Sequence, residues 1–290
     1  MRIRRIAILP SLMTLGNALC GFYAITLMTE AVTCKDVAPQ GTVQVADIYH
    51  GTVMWACGCI FLAMVFDALD GRLARFARVT SDFGGQLDSV ADAVSFGLAP
   101  AFLMVWVVRV SLGLEMLEPL SIVSWVCAAV FMSCALIRLA RFNVENVHDE
   151  EAHLSFRGLP SPAAAGALVS VILVTMASFW RQEFPDFVRH ATLWAMPPIA
   201  LILGLLMVSR IRYGHLLNQF IRGRRPLRHL VLILLCLALA VVVREATLVI
   251  GFVGYAFSGP IGAVVRRVRN RGTPPEGQAG QPPTESAPKA

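Results

Sequence analysis

Eight times along its 290 residues the chain runs apolar for roughly the length of a helix that crosses a bilayer. The segments fall near 7–29, 51–70, 85–108, 119–140, 162–180, 192–209, 229–243 and 246–265. A spanning helix needs about 20 apolar residues. Inside lipid each backbone polar group must find its partner within the protein, which favours helices. The sequence therefore predicts an all-α, polytopic membrane helical bundle. The seventh segment is of marginal length, and its separation from the eighth rests on Arg244 and Glu245; the pair reads equally as one broken hairpin. Composition agrees: 15% of residues are charged, where a soluble domain carries about a quarter. The first segment lacks an A-x-A cleavage site and is too long for a signal-peptide core, so it is expected to be a retained anchor.

The distribution of Lys and Arg sets an expected orientation. With the N-terminus in the cytoplasm, twenty of the 25 basic residues fall in inside segments, including Arg72, Arg75 and Arg78 and the runs at 222–228 and 266–271. Five, among them Lys35, Arg109 and Arg244, fall outside. This bias follows the positive-inside rule and places both termini at the cytoplasmic face of the cell (inner) membrane. The Arg-rich runs are read as topology signals and contacts to anionic lipid; no nucleic acid is expected as a partner. The tail from Gly272 onward is rich in Pro, Gly and Gln and is expected to be a disordered cytoplasmic segment. The seven cysteines are an odd number with no zinc-type spacing, and they read as packing residues.

Against this apolar background, "FDALDGRLARFARVTSDFGGQLDSVAD" (66–92) holds five aspartates. Asp67 and Asp70 are three apart at the end of the second apolar segment. Asp88 and Asp92 are four apart at the start of the third. Both spacings put side chains on one helical face. A short turn near 79–84 joins the two helices, so each pair is expected to face the other across a groove. Asp82 falls on the turn and reads as a helix N-cap. Four carboxylates brought together repel one another and lose hydration, and protons or metal ions relieve both costs. An oxygen-only set suits Mg²⁺, Mn²⁺ or Ca²⁺. Gly71, Gly84 and Gly85 allow a ligand close approach. Pairing of the acids with Arg72, Arg75 and Arg78 is the simpler alternative, yet acids at a membrane edge are functional by default.

The pattern Asp67-x2-Asp70-Gly71-x2-Ala74-Arg75-x8-Gly84-x3-Asp88-x3-Asp92 resembles the signature of the CDP-alcohol phosphotransferase family at all eight fixed positions. "LPSLMTLGNALCGF" (9–22), "SVADAVSFGLAPA" (89–101), "RLARFNV" (138–144) and "FRGLPSPAAAG" (156–166) resemble its phosphatidylserine synthase branch. That branch often has Asn after the first proline, where this chain has Ser11. The resemblance implies a six-helix membrane core within 1–210; beyond it the apolar and basic pattern reads as a basic loop and about two extra C-terminal transmembrane helices over 211–265, then a basic and disordered tail over 266–290. The resemblance also implies a homodimer that uses CDP-diacylglycerol and L-serine. Asp67, Asp70, Asp88 and Asp92 would hold a two-metal Mg²⁺ or Mn²⁺ site, with Asp92 also the general base. Gly71, Ala74, Arg75 and Gly84, with Thr14 and Asn17 from the first helix, would bind the cytidine diphosphate.

The implied reaction gives phosphatidylserine and CMP by direct in-line attack of the serine hydroxyl. Phosphoryl transfer asks the protein for alignment and charge neutralisation more than for a covalent intermediate. Serine brings a carboxylate, for which Arg138, Arg141 and Arg157 are candidates; Asn143 is a candidate for its ammonium. Two alternatives stay open. The same chemistry with inositol, glycerol 3-phosphate or choline is one. A divalent-cation transporter built on the same acids is the other.

Overall fold

The computed structural model describes residues 2–37, 43–77, 82–145, 156–181, 185–213 and 244–271. Eight helices account for nearly all of them: α1 (Arg2–Val37), α2 (Val43–Ala77), α3 (Asp82–Asp92), α4 (Ala99–Leu112), α5 (Pro119–Glu145), α6 (Ser161–Arg181), α7 (Asp186–Val208) and α8 (Arg244–Arg271). Residues Ala93–Leu98 form a π-helical turn that joins α3 to α4. The three make one continuous span, Phe83–Leu112. Six segments are long and apolar enough to cross a membrane, and they coincide with the first six apolar segments of the sequence. The fold is that of a polytopic helical membrane protein. The seventh apolar segment lies outside the described residues. The eighth lies in α8, whose apolar stretch Thr247–Gly262 is shorter than the six spans.

The π-helical turn has a local cause. Pro100 is in the first turn of α4 and has no N–H to give back to the residue four before it. The Ala99 N–H reaches instead to the Val94 carbonyl, five residues back. Such turns are rare, and within helices they occur often at functional sites.

The core runs along the axis of the bundle. Met28, Val53, Ile60, Phe96, Leu103, Phe131, Leu168, Ile172, Met196 and Leu203 are buried in one continuous cluster. Large apolar side chains also point outward, among them Phe22, Trp55, Val126, Trp194 and Leu205. In water so much exposed apolar surface would drive association; in a bilayer it is the lipid-facing surface. Small residues set the closest helix approaches, as expected where packing takes over from hydrophobic expulsion. A Cβ on Gly21 would stand 2.7 Å from the Ser95 Cα, and one on Gly204 would stand 3.1 Å from the Phe131 Cα.

A short strap closes one end. Phe156–Arg157 (β1) pairs antiparallel with Arg212–Tyr213 (β2). Gly158 follows with φ +87°, and its N–H donates to the Ile211 carbonyl at 2.8 Å, while Leu159 N–H donates to Leu206 at 3.0 Å. Any side chain at 158 would run into the Met207 carbonyl. The strap thereby ties the entry of α6 to the exit of α7.

Candidate active site

Three helices build the polar groove. α2 brings Asp67 and Asp70 on successive turns of one face. α3 brings Asp88 and Asp92 in the same way. α1 lies across both with Thr14 and Asn17, each buried. One oxygen each from Asp67, Asp70 and Asp88 gathers within 4.8 Å of the others. Asp92 stands beside this trio within electrostatic reach of all three, but its oxygens are not among the gathered ones. The expected four-acid convergence is therefore a trio with a neighbour.

The neighbour is held differently. The Asn17 amide donates to Asp92 Oδ1 at 3.0 Å, and the Asn17 carbonyl accepts from the Ser95 hydroxyl at 2.8 Å. Ser95 is on the π-helical turn directly after Asp92, so one residue of α1 fixes both the acid and the turn that follows it. The Gly21–Ser95 approach keeps α1 close enough for this. Asp92 is 8% exposed, and its second oxygen, Oδ2, is left to other partners.

The trio has another character. Asp70 is 5% exposed, with the Thr14 hydroxyl beside it as a donor. Its Oδ2 and the Asp88 Oδ1 are buried with no hydrogen-bond partner among the described residues. Two full negative charges at this separation repel by roughly 3 kcal/mol at an effective dielectric near 20. Buried, acceptor-only oxygens converging without an N–H to share fit a hard divalent cation, which takes oxygen ligands. The donor set offers no nitrogen or sulfur for a softer metal.

α5 contributes the far wall. Arg138 donates to the Ser161 hydroxyl at 2.6 Å and lies within electrostatic reach of Asp67 and Asp92. Asn143 exchanges hydrogen bonds with Ser89, the residue after Asp88, with its amide donating at 2.9 Å. Of the residues singled out from sequence, Asp67, Asp70, Asp88, Asp92, Thr14, Asn17 and Arg138 meet at the groove. Asn143 meets α3 through Ser89, and Arg141 is half-buried on the same helix. Gly71 lies beside Asp70, and Gly84 lies in the first turn of α3. The side chains of Ala74, Arg75, Asp82 and Arg157 fall outside the described residues. Sequence reasoning missed Ser89, Ser95 and Ser161. The first two sit one and three residues from an aspartate, and the third follows Pro160, so adjacency was the available signal.

Comparison with known proteins gives a consistent result. A family model described as CDP-alcohol phosphatidyltransferase matches residues 7–206. A protein of Methanocaldococcus jannaschii named CDP-diacylglycerol–serine O-phosphatidyltransferase is 36% identical over 160 residues, covering 55% of this chain and 64% of that one. A protein of the same name from Helicobacter pylori is 33% identical over 188 residues, or 64% of this chain and 70% of its own length. A third of that name, from Bacillus subtilis, is 30% identical over 207 residues, or 71% and 90%.

Proposed function

Because the chain belongs to the CDP-alcohol phosphatidyltransferase family, we propose that it transfers the phosphatidyl group of CDP-diacylglycerol to the hydroxyl of L-serine, giving phosphatidylserine and CMP. The gathering of the Asp67, Asp70 and Asp88 oxygens within 4.8 Å carries the reading. The names of the relatives support the choice of donor and acceptor.

Asp67, Asp70 and Asp88 would hold a divalent metal, with Asp92 as a further candidate ligand. Mg²⁺ or Mn²⁺ bound there would supply the positive charge that neutralises the diphosphate and the departing CMP. Gly71, Ala74, Arg75 and Gly84, with Thr14 and Asn17, form the cytidine-diphosphate side. The hydroxyl of serine is too weak an acid to attack unaided at neutral pH and needs a base in hydrogen-bond reach. Asp92 is that base. Asn17 occupies its Oδ1, so the proton passes to Oδ2. The serine oxygen then forms its bond to the phosphatidyl phosphorus as the bond to the CMP oxygen breaks. Arg138, Arg141 and Arg157 offer positive charge to the serine carboxylate, and Asn143 lies close enough on α5 to serve the ammonium.

The groove opens at the cytoplasmic face of the inner membrane, with both termini on that side and two copies forming a homodimer. Residues 1–210 act as the catalytic membrane domain, 211–265 as its extension and 266–290 as a cytoplasmic tail. The test is CMP release by purified protein given CDP-diacylglycerol and each of serine, inositol, glycerol 3-phosphate and choline. Release with serine alone is expected. Release only with another alcohol replaces the acceptor. Divalent-cation uptake into proteoliposomes lacking lipid nucleotide would favour the transport reading instead.

A further inference from the structure

Ser95 departs from the pattern set by other buried hydroxyls of the bundle. Ser124, Ser170, Thr175 and Ser178 each donate to a carbonyl three or four residues back in their own helix, at 2.7–2.9 Å. That is the usual local choice for a hydroxyl inside a helix. Ser95 is fully buried, yet its hydroxyl crosses to the Asn17 carbonyl of α1, 78 positions away in the chain.

That carbonyl is open to it for a reason. In an α-helix the carbonyl of residue 17 accepts from the N–H of residue 21, and a second lone pair remains. Residue 21 is Gly, so no side chain stands between that lone pair and the third span. A Cβ there would lie 2.5 Å from the Ser95 hydroxyl oxygen. Asn17 and Gly21 are four apart on α1, and Asp92 and Ser95 are three apart on the third span, so each pair shares a face. Asn17 therefore meets the third span twice, through its amide at Asp92 Oδ1 and through its carbonyl at Ser95.

The two contacts do different things. Asn17 is fully buried, so water does not compete for its amide. Its side-chain oxygen has no hydrogen-bond partner among the described residues, and the amide nitrogen is what ties the side chain to Asp92. How far that nitrogen reaches is set by the backbone of residue 17, which Ser95 holds against the π-helical turn.

We propose that Ser95 is a positioning residue of the transfer reaction: by holding the Asn17 carbonyl it sets the Asn17 amide on Asp92 Oδ1, which leaves Oδ2 aimed at the hydroxyl of the alcohol acceptor. This rests on the reaction and the base proposed above. A carboxylate turns readily about its terminal bond, so one oxygen must be held for the other to have a fixed direction. A base must lie in hydrogen-bond reach of its proton, and a misplacement of about 1 Å costs about a hundredfold in rate.

Steady-state kinetics of the full-length Ser95→Ala protein, alone and combined with Asp92→Asn, tests this. The variant removes one donor, and the Asn17 carbonyl keeps its partner within α1. The expected result is a kcat lowered about fivefold, the size of one lost hydrogen bond, with both KM values unchanged within about twofold on the same scale. In the Asp92→Asn background the same substitution should change the residual rate by less than about twofold, since residues that act through one group do not add. Asn17→Ala reads the relay from its other side. Its kcat should fall about tenfold or more, the scale of a hydrogen bond to a charged group, and that loss too should vanish once Asp92 is replaced. An unchanged kcat in Ser95→Ala overturns the inference. So does an equal loss of kcat from either variant in the two backgrounds, which would mark the pair as packing only. The two proposals fail separately. Loss of turnover in Asp92→Asn with none in Ser95→Ala leaves the reaction standing and sinks this inference alone. If the unmodified protein releases CMP with a different alcohol and not with serine, the acceptor named above is wrong and the Ser95 comparison is made with that alcohol. No release with any alcohol overturns both.

Discussion

The third span has charge at each end. Asp88 and Asp92 sit at one end. Arg109 sits at the other, about 30 Å away at 1.5 Å per residue. Arg109 is 9% exposed, lies 4.7 Å from the Trp106 ring centroid and has no acid paired with it among the described residues. Its cation is accommodated by an aromatic face and by the carbonyl end of its own helix, which Gly113 terminates in a left-handed turn. At the aspartate end like charges are brought together, with one cation, Arg138, within electrostatic reach of Asp67 and Asp92. Buried atoms lack hydrogen-bond partners at both ends among the described residues, Asp70 Oδ2 and Asp88 Oδ1 at one and Arg109 Nε and Nη1 at the other. The difference is one of charge: a single cation faces an aromatic ring, whereas several carboxylates face one another, a repulsion that a proton or a metal ion would relieve. Buried charge in a membrane protein is therefore a poor guide to function by itself. The informative quantity is whether the surrounding residues already neutralise it.

Substitutions can break or sharpen this contrast. The largest effect is expected at Asp92→Asn, which removes the proton acceptor and keeps the shape. CMP release should fall by about 10²–10⁴-fold while CDP-diacylglycerol still binds in an equilibrium assay. Near-normal turnover would remove Asp92 from the role of base. Asp67→Asn comes next. It should lower turnover about a hundredfold at fixed metal and shift the half-saturating Mn²⁺ concentration upward, since ligand loss exceeds the 10–100-fold typical of outer-shell changes. If the metal titration does not move, the trio is not a metal site.

Smaller effects test the framework. Gly21→Ala places a methyl 2.5 Å from the Ser95 hydroxyl oxygen, and overpacking of this kind costs about 1–3 kcal/mol. A lowered thermal midpoint with reduced turnover is expected, because α1 would be pushed off Asp92. Smallest of all is Arg109→Leu. It should leave CMP release within about threefold, since two unit charges about 30 Å apart interact by only about 0.5 kcal/mol at an effective dielectric near 20. A large loss of activity there would show that the two ends of the span are not independent.

The spans were legible from sequence because a run of apolar residues has one physical use in lipid. The acids were legible because spacings of three and four on helices joined by a short turn leave few other arrangements. What the sequence withheld was relation across distance. Nothing in "LGNALCG" announces that Asn17 will donate to an acid 75 positions later, since a lone asparagine in an apolar helix has many uses. Nor does the sequence announce that Asn143, a candidate for the ammonium, exchanges hydrogen bonds with Ser89. α8 reads from sequence as an extension beyond the six-helix core, and only the Phe252 ring against Gly166 shows where it docks. Hydropathy reports the environment of a segment, and local spacing reports its face; partner choice between segments comes from packing alone.

The π-helical turn at 93–98 has a rotational consequence. A single surplus residue in a helix advances everything beyond it by about 100°. The acid-bearing head of the third span and its apolar stem are thus set to different azimuths, each free to suit its own surroundings. A chain shortened by one residue within 93–98 would still cross the bilayer. Its carboxylates would swing toward lipid, and the groove would be lost without any of its own residues being altered.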